Sequence, residues 1–188
     1  MISYLTINEK KIFMTKAFFF DTDCISSFLW TSTEHLLIHC FGNDMIIPRQ
    51  VYNEISSVPH LQQKIDVMIN NGNLAIEDLL VGSEENNLYL DLTDYTRSSK
   101  LPLIGRGEAA AIVLSKKNNG VLASNNFRDV RYYVKLYGLE HIATHHIIHK
   151  AVNDGILSNA QADEIWKQMV AKRRKLPFST FVDYLNSL

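Results

Sequence analysis

Short apolar runs separated by segments of helical periodicity constrain this sequence more than any other feature. After each run, apolar side chains recur every three or four positions, which is the period of an α-helix packed on one face. Strands that alternate with helices are typical of α/β proteins, because parallel strands need a crossover connection. The pattern predicts an α/β fold with a mainly parallel sheet. The predicted strands are residues 17–20, 45–47, 74–79, 121–123 and 141–143.

The segments between the predicted strands have turn residues at their ends, as helices do. Pro48 suits the first position of one of these helices. We expect a single domain of residues 1–188, with a core at about 17–155 and a C-terminal helical extension at about 156–188. The apolar positions of 181–188 favour docking on the core, with a partner-binding tail as the alternative. Helices are predicted at 24–30, 34–41, 48–57, 60–70, 84–95, 108–117, 127–137, 145–153, 159–173 and 181–188.

The net charge of −1, from 19 basic and 20 acidic side chains, provides no global positive field that would attract nucleic acid. Cys24 and Cys40 are too few for a disulfide framework or a four-thiolate zinc site, so we expect two buried free thiols. Charged residues interrupt positions 1–16, which argues against a signal peptide. The longest aliphatic run, 109–114, is far shorter than the roughly 20 residues of a membrane span. These features predict a cytoplasmic protein without membrane contact.

Two acidic positions near predicted strand ends are unusual. Asp21 and Asp23 directly follow the first strand, where Asp23 suits the cap of the next helix and Asp21 is less well explained. Glu54 lies within the apolar stripe of the helix at 48–57. A carboxylate that faces a core is costly unless a positive group meets it. A salt bridge to an Arg or Lys is the structural alternative for Glu54.

Three further polar positions follow the same pattern. Glu108 stands in the first turn of a helix after Gly107, where a negative charge is favourable for structural reasons alone. Asn126 and Asp129 have the spacing of a helix cap and an acid at the third position. Each of these residues has a structural explanation when it is considered by itself.

Considered together, the acids adjoin successive strand ends of one sheet. In parallel sheets, binding and catalytic residues lie beyond the carboxyl ends of the strands. A cluster of carboxylates at one sheet edge suggests a bound divalent cation, and oxygen-only ligands favour Mg²⁺ or Mn²⁺ over zinc. Such an ion can activate water and neutralise charge on a phosphate. The residues concerned are Asp21, Glu54, Glu108, Asn126 and Asp129.

The order of these motifs resembles the PIN-domain family, metal-dependent ribonucleases that are common in bacterial toxin–antitoxin modules. The resemblance runs from residue 18 to 155 and rests on FDTD at 20–23, IPRQVYNE at 47–54, GRGEAAAI at 105–112 and VLASNN at 121–126. It implies a three-layer fold with about five parallel strands, and cleavage of single-stranded RNA by water activated on Mg²⁺ or Mn²⁺. The residues implied as catalytic are Asp21, Glu54, Glu108 and Asp129, with Asn126 as a further metal ligand.

The fourth motif departs from the family, which usually has Asp where this chain has Asn125 and Asn126. Asn126 offers a carbonyl oxygen without charge, and Asp129 is the candidate for the missing carboxylate. Two hypotheses follow. The first is a metal-dependent endoribonuclease, with the toxin of a two-component module as its special form. The second is a PIN-like scaffold with a weakened metal site that binds nucleic acid or protein.

Candidate contacts to partners are few. Arg106, Arg128 and Arg131 are close enough to the proposed site in sequence to bind RNA phosphates. The basic run at 172–175 is either a solvated helix end or a second phosphate contact. The histidines at 145, 146 and 149 favour a half-buried helix start over a zinc site. The expected partners are an RNA substrate and an antitoxin protein, and a homodimer is left open.

Overall fold

A five-stranded, entirely parallel sheet forms the centre of the protein. The computed structural model describes residues 16–97 and 101–188. The strand order is β3-β2-β1-β4-β5, so the chain builds one half of the sheet outward from β1 and then returns to build the other half. The α/β prediction is therefore confirmed. The strands are β1 (Phe18–Phe20), β2 (Met45–Pro48), β3 (Leu74–Glu77), β4 (Val121–Ala123) and β5 (Glu140–Ile142).

Helices connect the strands as the periodicity predicts, with shifts of one to a few residues at some ends. Pro48 is the last residue of β2 rather than the first residue of a helix, and it precedes α3. The helices are α1 (Thr22–Trp30), α2 (Glu34–Phe41), α3 (Arg49–Ser56), α4 (Pro59–Asn70), α5 (Glu84–Thr93), α6 (Arg106–Lys117), α7 (Phe127–Tyr137), α8 (Thr144–Asn153), α9 (Asn159–Ala171) and α10 (Phe181–Leu185).

The sheet separates two hydrophobic cores, which gives three layers. Side chains alternate between the faces of a strand, and β4 shows this directly: Val121 and Ala123 belong to one core and Leu122 to the other. The larger core contains side chains of α1 to α4 and α8 to α10, and the smaller core contains side chains of α5, α6 and α7. This arrangement confirms the predicted three-layer fold.

The strand β4 lies beside β1 because the residue before it has no side chain. A Cβ at Gly120 would lie 2.5 Å from the ring of Phe19 and 2.8 Å from the carbonyl oxygen of Ala17. Both distances are well below normal van der Waals contact. Any larger residue at position 120 would push β4 away from β1, and with it the polar residues that follow β4.

The C-terminal helices pack on the larger core, as the sequence favours. Trp166 and Met169 of α9 and Phe181 of α10 are fully buried there, and Tyr184 is almost fully buried. Both cysteines are buried free thiols, as predicted. Over residues 16–97 and 101–188, no helix has the length and apolar character needed to cross a membrane. The expectation about a signal peptide concerns residues 1–15 and lies outside the described residues.

Candidate active site

The carboxyl ends of β1, β2 and β4 meet at one edge of the sheet, where the strand order reverses direction. Crevices at such switch points are the usual binding sites of parallel α/β sheets. Here the crevice is a cleft of about 200 Å³. It is lined by Asp21, Thr22, Asp23, Glu54, Gly105, Gly107 and Glu108, and we call it the acidic cleft.

Asp21 is the most unusual group in the acidic cleft because its carboxyl is fully buried. Its Oδ1 accepts a hydrogen bond of 2.7 Å from the Cys24 N–H and so caps α1. Its Oδ2 is buried without a hydrogen-bond partner among the described residues, although the Ser124 hydroxyl lies close enough to lower the pKa of this carboxyl. One carboxylate oxygen of Asp21 is therefore available to a ligand.

Burial raises the pKa of Asp21 from 3.8 to about 7, because removal from water disfavours the charged form. The Ser124 hydroxyl and the Cys24 N–H lower this pKa, whereas the negative charges of Asp23 and Glu108 raise it further. A cation bound at Oδ2 would offset both the burial and the repulsion.

Asp23 has a different role from the one that the sequence favours. The interpretation of Asp23 as the cap of α1 is wrong, since Asp21 supplies that hydrogen bond. Asp23 instead lies in the first turn of α1, is half-buried and lines the acidic cleft. The sequence analysis did not include Asp23 among the site residues. Its position, two residues after Asp21, was the signal that could have identified it.

Glu54 is held by two donors from neighbouring elements. The Thr22 hydroxyl donates a short hydrogen bond to Oε2, and the Gly107 N–H donates to Oε1 at 3.1 Å. The side chain is exposed rather than directed into the core, contrary to its position in the apolar stripe. Within residues 16–97 and 101–188 it forms no ion pair, so the alternative of a structural salt bridge is wrong.

Gly107 allows this approach of α3 to α6. A Cβ at this position would lie 2.8 Å from the Thr22 Oγ1 and 2.9 Å from the Glu54 Oε2. Such contacts are too short for a real side chain unless the two oxygens move. The glycine before Glu108 is therefore what lets the Glu54 carboxylate meet the start of α6.

Glu108 is half-buried at the start of α6 and is also held by two donors. Its Oε2 accepts a hydrogen bond of 3.1 Å from the Gly105 N–H. This contact agrees with the structural explanation from the sequence, in which Glu108 stabilises the N-terminus of the helix. Its Oε1 accepts a hydrogen bond of 2.6 Å from the Asn126 Nδ2. The same residue thus stabilises the helix start and lines the acidic cleft.

Asn126 connects Glu108 to Asp129. Its Nδ2 also donates to the Asp129 Oδ2 at 2.8 Å. Asn126 is the N-cap residue of α7, as its spacing predicts, but its side chain makes no capping hydrogen bond. The hydrogen bond from Asn126, together with Arg128, lowers the pKa of Asp129. Asp129 is not among the residues that line the acidic cleft, and it reaches Glu108 only through the Asn126 amide.

Asn125 has a structural role that the sequence does not distinguish from that of Asn126. It is buried, and its Oδ1 accepts a hydrogen bond of 3.0 Å from the Thr144 N–H at the start of α8. Its Nδ2 lies 3.4 Å from the Ser27 Oγ and donates to it. Asn125 therefore ties α8 to α1, and Asn126 alone faces the acids.

The three predicted phosphate contacts are exposed side chains around this edge of the sheet. Arg106 begins α6 between two glycines of the acidic cleft. The side chain of Arg128 is 91% exposed and forms a 3.2 Å ion pair with Asp129. Arg131 lies over the ring of Phe127, with 5.8 Å between the guanidinium carbon and the ring centroid.

The histidines of α8 form an aromatic cluster. The rings of His145 and His146 lie 3.9 Å apart, and the His149 Nδ1 lies 2.8 Å from the Tyr184 hydroxyl. Burial lowers the pKa of His145 to about 2, so the ring is neutral. In the described part of the chain, no three His, Cys, Asp or Glu side chains are placed to hold a metal ion together.

A family model described as a PIN domain matches residues 17–187. The chain belongs to the PIN domain family. PIN domains are generally nucleases and typically use divalent metals. No curated protein matches the chain in sequence.

The donor chemistry of the acidic cleft fits a hard divalent cation. Its candidate ligands are carboxylate oxygens, which Mg²⁺ and Mn²⁺ prefer. Asp21 contributes a buried oxygen with no partner, and each carboxylate oxygen of Glu54 and Glu108 already accepts a hydrogen bond. An ionised carboxylate has about four acceptor positions, so these hydrogen bonds leave capacity for a cation. In this conformation the carboxylates face N–H and O–H donors instead of converging.

Proposed function

We propose that this PIN domain is an endoribonuclease that cleaves single-stranded RNA with Mg²⁺ or Mn²⁺. The observation that carries the proposal is the Asp21 carboxyl, which is fully buried at the end of the central strand with Oδ2 unpartnered. An unpartnered buried oxygen is costly in a folded protein unless it serves a ligand. Three further carboxylates line the same cleft, and a cation is the ligand that would offset their repulsion.

In this proposal Asp21, Glu54 and Glu108 would hold the ion, which when bound supplies an activated water and positive charge for the scissile phosphate. Asp23 orients the attacking water, because its carboxylate lines the cleft and accepts no hydrogen bond from the described residues. The Thr22 hydroxyl and the Gly107 N–H fix the direction of the Glu54 carboxylate. These contacts restrict the side chain before any substrate arrives.

Asn126 and Asp129 belong to the proposal as a pair. The Asn126 amide orients Glu108 through a 2.6 Å hydrogen bond, and Asp129 holds that amide from its other side. Arg106, Arg128 and Arg131 are proposed to bind RNA phosphates, since all three are exposed: Arg106 stands between two glycines of the acidic cleft, Arg128 pairs with Asp129, and Arg131 lies over Phe127. Their contribution would weaken as salt concentration rises, as it does for other phosphate contacts.

The same asparagine supports a second candidate function. The hydrogen bond from Asn126 takes up one acceptor position of a Glu108 oxygen, and the amide adds no charge beside it. A domain with a metal site weakened in this way would bind RNA or a protein without cleaving it. The two candidates differ in a single measurable property, which is phosphodiester hydrolysis.

The deciding experiment is an RNA cleavage assay with purified protein, single-stranded RNA and added Mg²⁺ or Mn²⁺. We expect cleavage that requires the metal, stops with EDTA and is lost in Asp21→Asn. RNA binding without metal-dependent cleavage would favour the second candidate. Activity that persists in Asp21→Asn would overturn the proposed site.

The toxin form of the proposal adds a protein partner, an antitoxin that blocks the nuclease. It rests on the resemblance of the motif order to toxin–antitoxin nucleases. Expression of the wild-type chain in a bacterial host should arrest growth, and Asp21→Asn should not. Equal growth of the two strains, with both proteins folded and the wild type active in vitro, would remove the toxin role and leave the nuclease.

A further inference from the structure

A second cleft lies beside the acidic cleft, between the start of α7, the region after β5 and the segment that follows α9. Its volume is about 500 Å³, within the range of about 300–1,000 Å³ typical of small-molecule sites. No role assigned so far uses it. Among its lining residues are Asn126, Phe127, Arg128, His141, His146 and Phe178, and we call it the aromatic cleft.

The two clefts are separated by one side chain. Asn126 lines the aromatic cleft, and its Nδ2 lies 2.6 Å from the Oε1 of Glu108, which lines the acidic cleft. A chain with its scissile phosphate at the acids would therefore place a neighbouring nucleotide at the aromatic cleft. The scissile phosphate and the bound nucleotide would be neighbours along the RNA because both clefts adjoin Asn126.

The walls of the aromatic cleft carry exposed aromatic surface. Phe127 is 47% exposed, and its ring lies 5.6 Å from that of His141 at an angle of 31°. Phe178 approaches from the C-terminal segment, where its ring packs edge-on against His145. Aromatic faces of this kind bind unpaired bases by stacking, whatever the base, because every base has a π-face.

Two imidazoles, of His141 and His146, add polar groups to these walls. Burial lowers the pKa of His141, and its Nε2 lies 2.8 Å from the Ser124 carbonyl oxygen. That nitrogen therefore carries the proton, and Nδ1 is an acceptor. The His146 Nδ1 accepts a hydrogen bond of 3.1 Å from the Ala143 N–H. The walls are therefore polar as well as aromatic.

Positive charge lies along the rim of the aromatic cleft. Arg128 lines it with a side chain that is 91% exposed. Lys175 is exposed and close enough to Asp129 to help lower the pKa of that acid. Pro177 and Phe178, which follow the basic run at 172–175, line the cleft directly. Basic side chains at the rim could therefore bind phosphates, while the aromatic walls stack against a base.

We propose that the aromatic cleft binds an unpaired nucleobase of a single-stranded RNA chain, with the adjoining phosphates at Arg128 and Lys175. The inference rests on the proposed function, because it identifies the substrate chain by a base held next to the acids. It predicts that binding depends on the presence of bases and tolerates changes in their identity. A double-stranded RNA, whose bases are stacked within the helix, would not use this subsite.

The test measures RNA binding without catalysis. Fluorescence anisotropy in EDTA compares a single-stranded RNA of about ten nucleotides with the same backbone lacking all bases. Phe127→Ala removes the exposed ring, and Phe127→Tyr keeps an aromatic face. Leu136→Ala is the matched control, since Leu136 lies on the same helix and is 50% exposed, but does not line the aromatic cleft.

We expect wild type, Phe127→Tyr and Leu136→Ala to bind the base-containing RNA about tenfold more tightly than the abasic chain. Phe127→Ala, checked for folding by circular dichroism, should lose most of that preference. Equal binding of both chains by wild type, an unchanged preference in Phe127→Ala, or no RNA binding at all would overturn the inference. The last result would instead direct attention to a protein ligand for this surface.

The result of this binding test can be distinguished from the result of the cleavage assay that tests the proposed function. Base-dependent binding without cleavage in Mn²⁺ would support the aromatic cleft and remove the nuclease activity. Cleavage by a protein that binds both chains equally would support the nuclease and remove the aromatic cleft. Because binding is measured without metal, neither result depends on the other.

Discussion

The acidic cleft and the histidine cluster of α8 both contain residue types that bind metals in other proteins, yet only the acidic cleft has the donor chemistry of a Mg²⁺ or Mn²⁺ site. Both follow a strand of the same sheet, β1 for Asp21 and β5 for the histidines. The Asp21 Oδ2 has no partner among the described residues. His145 also has a ring nitrogen, Nδ1, without a hydrogen-bond partner among the described residues, but its ring is enclosed by His146, Phe178 and Tyr184.

Burial acts on both groups with opposite results. It raises the pKa of Asp21 to about 7 and lowers the pKa of His145 to about 2, because in each case it disfavours the charged form. The neutral histidine is well suited to an aromatic core. The aspartate, with a pKa of about 7, is only partly ionised at neutral pH, and a bound cation would favour its charged form. A residue type that binds metals elsewhere thus does not define a site, whereas an unpartnered carboxylate oxygen beside three further acids of one cleft indicates one.

The largest expected effect is on catalysis. Asp21→Asn should lower RNA cleavage by more than about 100-fold, since it removes a charged metal ligand. His149→Phe, made in the histidine cluster, should leave cleavage within a few-fold of wild type. It should lower the free energy of unfolding by about 1–3 kcal/mol, through the loss of the hydrogen bond to Tyr184. Cleavage assays and urea unfolding of both variants measure this contrast.

Loss of metal-dependent cleavage in folded His149→Phe would place the chemistry at α8 instead of the acidic cleft. A stable and fully active Asp21→Asn would have the same meaning. Either result would reverse the comparison between the two regions.

The second effect is on the pH dependence of stability in metal-free protein. The pKa of Asp21 is about 7 when folded and near 3.8 when unfolded, so the folded state binds the extra proton between these values. Stability should therefore fall as the pH rises from about 4 to 7 and change little above that. The full effect corresponds to about 4 kcal/mol, or roughly 10 °C in Tm.

Thermal unfolding of Asp21→Asn in EDTA provides the control. The variant should match wild type near pH 4 and be more stable near pH 7.5, because it has no carboxyl to ionise. Parallel pH profiles of the two proteins would show that Asp21 is not the group responsible.

The third effect is stabilisation by the metal. Mn²⁺ at ten times its Kd should add about 1.4 kcal/mol by mass action, or about 3–6 °C in Tm. Differential scanning fluorimetry should show this shift for wild type and His149→Phe, and lose it in Asp21→Asn. A shift that survives in Asp21→Asn would mean that Mn²⁺ binds elsewhere.

The smallest effect concerns Asp129, which reaches the acidic cleft only through Asn126. Asp129→Asn should weaken Mn²⁺ binding by less than about threefold and lower stability by a few tenths of a kcal/mol, through the helix dipole of α7. Asn126→Asp should tighten Mn²⁺ binding, because it adds charge beside Glu108. Calorimetric titration of both variants measures these changes. If Asp129→Asn lost as much Mn²⁺ affinity as Asp21→Asn, Asp129 would be a direct ligand of the ion.

The sheet was predictable because alternating apolar runs and helical periods allow few other arrangements, and the proximity of Asp21, Glu54 and Glu108 follows from parallel strand ends. The choice of Asp21 over Asp23 as the cap of α1 depends on backbone angles at the strand end, which the sequence does not encode locally. The aromatic cleft was not predictable, since it joins Phe127 to Phe178 across a large separation in sequence.

Gly107 offers a way to separate electric charge from shape in this protein. An alanine at this position is compatible with the helical backbone and favours it. The atoms nearest to its methyl group would be the Thr22 hydroxyl oxygen and the two carboxylate oxygens of Glu54, so the Glu54 carboxylate would have to move aside. Such a protein would retain every acid of the wild type, with one of them displaced. It would show whether the reactivity of the cleft depends on how many negative groups it has or on where they stand.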